Sequence, residues 1–180
     1  MMQAQQSSSM IAEAIKAELE QEATATRRLL EIVPEDRLTW KPHPKAMSLG
    51  QLALHIAVVQ GAVAEATLND TVSVPDFVHS EAESRDEILA AFDNSLKKAK
   101  EIISSTSDER ALTEWKIVDG DRTVLAMPRA SFWRTVMLNH VYHHRGQLST
   151  YLRQLDIPLP SVYGPTADTS AQDLGLGELP

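Results

Sequence analysis

The chain reads as all-α, a four-helix bundle interrupted by one small β-hairpin. Three observations predict it. Four long segments carry apolar residues at helical intervals, capping patterns open two of them, and Asp119-Gly120 separates two short β-prone runs between the third and fourth. Its 180 residues suffice for one domain with a buried core. That domain is placed over residues 10–166, between a flexible N-terminus (1–9) and a C-terminal tail (167–180).

The first helix is expected from Met10 to about Val33, with Ile11, Ile15, Leu19, Leu29, Leu30 and Val33 as apolar positions, and Pro34 ends it. The polar, low-complexity residues before it are expected to fray. In the next loop Pro42 and Pro44 exclude regular helix. Ser48-Leu49-Gly50-Gln51 is a capping box opening a second helix to about Leu68, with Leu52, His55, Ile56, Val59 and Val63 on one inward stripe. Asn69-Asp70 and Pro75 mark another loop. Ser84-Arg85-Asp86-Glu87 repeats the capping pattern and starts a third helix to about Ile103, striped by Ile88, Ala91, Phe92, Leu96, Ala99 and Ile103. Lys97, Lys98 and Lys100 lie toward its C-terminal end, where the helix dipole favours cations.

After the hairpin, Pro128 suits the first turn of a fourth helix, which runs to about Leu155 with Trp133 in its core face. Pro158, Pro160 and Gly164-Pro165 stop it, and an ordered strap then gives way to an acidic tail. Connections of about a dozen residues or more exceed the usual length in simple bundles and permit a crossover topology.

A net charge of −8, with no basic run to offset it, argues against a nucleic-acid partner. The chain has no cysteine, which excludes disulfides, thiolate metal sites and a cysteine nucleophile. No signal peptide and no run long enough to span a membrane is visible, so a cytoplasmic protein without a membrane partner is expected.

Chemistry concentrates in Asn139-His140-Val141-Tyr142-His143-His144-Arg145-Gly146-Gln147-Leu148, which holds three of the six histidines. Residues four apart on a helix lie about 40° apart on one face, so His140 and His144 can reach a single metal ion. His143 offers an alternative pair with His140 at the i, i+3 spacing. A catalytic metal with an open position needs a third ligand. His55 is the best candidate, being a polar residue inside the apolar run Leu52–Val59 that needs a partner there.

Trp40-Lys41-Pro42-His43-Pro44-Lys45, the Met47–Ala57 stretch with His55, the His140–Arg153 block and Pro158–Pro165 together resemble the DinB-like (YfiT-related) family of metal-dependent enzymes. The likeness extends over roughly Ile11 to Thr166. It implies a four-helix bundle in up-down-down-up order, often a homodimer. Its metal ligands correspond to His55, His140 and His144, and this prefers His144 over His143. It implies no particular catalytic residue. Relatives include transferases and isomerases that use a thiol, and hydrolases.

All-nitrogen ligation suits zinc, nickel, iron or copper without choosing among them; zinc or nickel is expected first, with iron or manganese as alternatives. The function expected is therefore a divalent-metal-dependent enzyme acting on a small molecule. It would perform transferase chemistry with an external low-molecular-weight thiol, or else hydrolysis by hydroxide generated at the metal. A non-catalytic metal-binding stress-response dimer is the reading from another class.

Other residues divide between site and scaffold. Arg145 and Arg153 are candidates to orient an anionic substrate or to stabilise the helix dipole. Asn139 is a candidate to orient a ligand histidine. Gly146 is expected at a close helix contact, since a mid-helix glycine costs about 1 kcal/mol relative to alanine. Gln147 and Tyr151 read as packing and hydrogen-bonding residues, and His43 and His79 as surface loop residues.

Overall fold

The computed structural model describes residues 9–76 and 78–170. The expected flexible residues 1–8 and the tail beyond Ser170 lie outside them. The chain is mostly helical, with a three-stranded sheet. In order come α1 (Met10–Glu31), a 3-10 turn (Glu35–Arg37), α2 (Leu49–Ala66), β1 (Thr71–Ser73), α3 (Arg85–Ser104), α4 (Asp108–Leu112), β2 (Glu114–Asp119), β3 (Arg122–Pro128), α5 (Arg129–Phe132), a π-helical segment (Trp133–Leu138) and α6 (Asn139–Gln154). α2 packs on α3 and α6, and α1 on α3 and α6.

The helix starts follow from their caps. Ser9, expected in the frayed terminus, is instead the N-cap of α1: its hydroxyl accepts from the Ala12 amide at 3.0 Å and donates to Asp108. The Asp108 carboxylate also takes the Ile11 amide at 3.0 Å, so α4, an element the periodicity did not reveal, satisfies the free donors of α1. Both halves of the Ser48–Gln51 capping box form. At α3 only the Ser84 half forms, because Glu87 accepts from the Glu83 amide rather than that of Ser84. Lys98 and Lys100 stand before the last turn of α3 and bridge to Glu65 and Glu20 on neighbouring helices, so the expected dipole role is not theirs. Pro128 ends β3 and precedes the helix rather than occupying its first turn.

The hairpin is present, with Gly120 at φ +58 in its two-residue turn, but it belongs to a larger sheet. β1 pairs in parallel with β2, Thr71 opposite Lys116 and Ser73 opposite Val118. Three residues are too few for an alternation signal, and the partner strand is remote in sequence. α2 has the length and composition of a membrane-spanning helix, contrary to the sequence expectation, yet 61% of it is buried within the fold. It approaches α3 closely at Gly61. A Cβ there would lie 3.0 Å from Ser95 Cα and carbonyl oxygen, and the Gly61 amide donates to Ser95 Oγ at 2.7 Å. Gly146, predicted to serve such a contact, has nothing within 4 Å of an added Cβ.

Two clusters make the core. One gathers Leu29, Leu52, Ile56, Phe92, Leu148 and Leu152; the other gathers Leu19, Val59, Val63, Trp115, Trp133 and Val141. α2 and α6 each pass through both. Along α2 the change comes between Ala57 and Val59, and along α6 between Val141 and Leu148. The three candidate ligands stand at this level.

Candidate metal centre

His55 on α2 faces His140 and His144 on α6. The ring centroids form a triangle of 5.0, 4.7 and 4.5 Å. One ligand atom from each of the three histidines can be chosen so that all lie within 4.8 Å of one another. His55 Nε2 and His140 Nε2 are 3.3 Å apart. Two nitrogens on a tetrahedral zinc, at about 2.0–2.1 Å each, are separated by about 3.3 Å. The His55–His140 separation therefore matches two nitrogens on one divalent ion, with a His144 nitrogen within 4.8 Å of both. His143, the alternative at i, i+3, is exposed and lies outside the trio, its ring 4.9 Å from that of His144.

The π-helical segment delivers α6 to this position. Its backbone bonds reach five residues back, as the Asn139 amide does to the Arg134 carbonyl. Such single-turn insertions recur beside functional sites. The Val136 carbonyl in this segment supports the His140 ring. His144 is oriented by Gln147, whose Oε1 lies 2.7 Å from Nδ1 and leaves Nε2 free to ligate. Asn139 does not perform that task, because its Oδ1 accepts from Arg134. The i, i+3 spacing of His144 and Gln147 was the available signal.

His79, expected as a surface loop residue, lies beside the trio. Its ring is edge-on to that of His55, 5.1 Å between centroids. Gln51 holds its carbonyl at 3.0 Å while capping α2 with the other side of its amide. His43 is exposed and turned to its own loop, accepting from the Lys45 amide. Arg145 serves neither of the roles foreseen, whereas Arg153 lies in the last turn of α6, where the helix dipole favours a cation. Arg145 is buried against Glu22 of α1 and Arg153 pairs with Asp168, which in turn accepts from the Leu159 amide of the strap. Tyr151 packs edge-on to Trp40.

Burial holds His55 at a pKa of about 4, aided by repulsion from His144, His140 and His79. Burial likewise lowers His144 to about 4, with Gln147 opposing and the neighbouring histidines adding. His140 is lowered by burial too. Near neutrality all three rings are neutral, as metal ligation requires. In the metal-free protein the unfolded chain protonates His55 and His144 from 6.5 downward and the folded protein only near 4. Stability complete above about pH 6.5 is then expected to fall progressively toward pH 4. Asp70 and Asp168, depressed by arginine partners, lose their contribution only below 3.8. Thermal melts of wild type and His55→Gln across pH 4–7 separate the two windows; identical slopes would refute the assignment.

A model of the DinB superfamily matches residues 18–148, a span containing all three histidines. This chain belongs to the DinB superfamily. YrdA of Bacillus subtilis (strain 168) is 24% identical over 151 residues, 84% of this chain and 87% of that protein. Two solved DinB-like structures share the fold. The one from Bacillus cereus ATCC 10987 has a TM-score of 0.67 and 24% identity, covering 84% of this chain and 97% of its own. YjoA from Bacillus subtilis has a TM-score of 0.65 and 21% identity, covering 83% and 97%.

Proposed function

We propose that this protein is a divalent-metal-dependent enzyme, an up-down-down-up four-helix bundle acting as a cytoplasmic homodimer, that performs transfer chemistry with an external low-molecular-weight thiol. One observation carries the proposal: imidazoles from two helices converge, with a 3.3 Å nitrogen–nitrogen approach suited to a shared ion. Zinc or nickel suits this donor set best, followed by iron or manganese. When bound, the ion supplies positive charge that makes a thiol or a water molecule acidic.

The chain's own residues supply the rest. Burial keeps the ligands unprotonated, Gln147 fixes one ring, and two cavities share His55 as a common wall residue, leaving room for two substrates. The thiol comes from outside because the chain has no cysteine. Among the described residues neither cavity is lined by aspartate or glutamate, so a general base for the hydrolytic alternative would have to be His79. A thiol held by such an ion would need no such base to lose its proton. Cavities reaching the histidines favour an enzyme over a purely metal-storing dimer.

The test is metal content and affinity of the protein, carrying a tag without histidines. Stoichiometric binding is expected for wild type and His143→Ala and its loss for His55→Ala, His140→Ala and His144→Ala. Gln147→Ala is expected to bind about 10–100-fold more weakly. A wild type without tight metal, or equal binding by all variants, would reject the proposal.

A further inference from the structure

The meeting imidazoles of His55 and His140 form part of the wall of a cavity of about 320 Å³ between α2, the sheet and the α5–π segment. Val59, Val63, Val72, Ile117, Phe132 and Val136 supply most of the remaining wall. Among the described residues no aspartate, glutamate, lysine or arginine lines it, and Ser73 adds the only other polar side chain besides the two histidines and Trp115. Trp115 stacks on Phe132 at 3.9 Å, and its indole N–H is spent on the Ala66 carbonyl at 3.0 Å. The indole therefore offers the cavity ring surface rather than a free donor. The volume is at the small end of ligand pockets, about 300–1,000 Å³.

A charged group entering here would lose its hydration and gain no partner. A hydrocarbon group gains a factor of about four in affinity for each methylene buried. We infer that this cavity holds an uncharged aliphatic or aromatic tail of the substrate, while a donor atom at its head reaches the metal at His55, His140 and His144. The inference rests on the metal-site reading and adds the class of molecule: small, amphipathic and neutral in its tail. The cavity of about 150 Å³ at Gln51, His55, His79 and Ser80 is smaller and carries more polar side chains, so it suits the other reactant.

The experiment compares acetohydroxamate with hexanohydroxamate on the nickel-loaded protein by calorimetry. The longer chain is expected to bind at least about 30-fold more tightly. Ala66→Phe and Val72→Phe fill the cavity from different elements. They are expected to reduce that preference below about threefold, with metal stoichiometry and acetohydroxamate binding retained. Equal affinities in wild type, or a preference surviving both fillings, overturn the inference. If nickel does not bind, the metal reading has failed on its own, and the metal-free protein is titrated with 1-hexanol. A saturable shift of the Trp115 indole proton, absent from the filled variants, upholds the cavity as a hydrocarbon site; no shift overturns it.

Discussion

Arg145→Leu is expected to destabilise the protein by about 3–5 kcal/mol, the usual cost of stranding one partner of a buried ion pair. The Arg145 and Glu22 side chains are only 3% and 10% exposed, and their N–O distance is 2.6 Å. The guanidinium also donates to the Glu22 carbonyl and Thr26 hydroxyl, and Tyr163 donates to the same carboxylate at 2.7 Å. Removing the cation leaves a buried carboxylate with one hydroxyl partner. The double variant Arg145→Leu/Glu22→Leu is expected to recover at least about half the loss, since no charge is then stranded. Denaturant melts of the four-member cycle decide the matter, and additive losses would show that the pair is not coupled.

Arg129→Ala is expected to cost about 3–4 kcal/mol, through unsatisfied carbonyls rather than a stranded charge. Arg129 is wholly buried. It donates to the carbonyls of Thr67 at 2.9 Å and Asn69 at 3.0 Å, to the Thr113 hydroxyl at 2.5 Å, and to the Asp70 carboxylate. These bonds close the C-terminal end of α2 and fasten it to the start of β2. Trp133 reinforces the same end through Thr67 Oγ1 at 3.1 Å. The Asp70 side chain is 72% exposed and regains water when the arginine goes, which puts this variant below Arg145→Leu. Arg129→Lys keeps the charge but not the planar fork and is expected to restore less than half. A loss under about 1 kcal/mol for Arg129→Ala would mean that water replaces the guanidinium at these carbonyls.

The histidine trio was legible because each of its signals is local. His140 and His144 stand at a helical spacing, and His55 is conspicuous inside an apolar run. The resemblance to DinB proteins chose between His143 and His144, which periodicity left open. Arg145 and Arg129 were not legible, since a cation beside a carboxylate far along the chain has no local pattern. Gly146 misled because a mid-helix glycine signals either close packing or nothing, and here the close contact fell to Gly61. His79 entered the site through a loop placed by Gln51, a residue whose capping role was visible while its second bond was not. β1 escaped notice because its pairing depends on a strand formed much later in sequence.

The segment Trp133–Leu138 sets the phase between two parts of one continuous helix. Upstream, Phe132 and Trp133 are committed to the core; downstream, His140 and His144 must look toward His55. One residue turns an α-helix by about 100°, so deleting a single residue here would swing one group away if the other stayed in place. Point substitutions in this stretch leave that phase intact, whereas a one-residue change in its length does not. The spacing between Trp133 and His140 is thus a constraint of its own, separate from the identity of any residue within it.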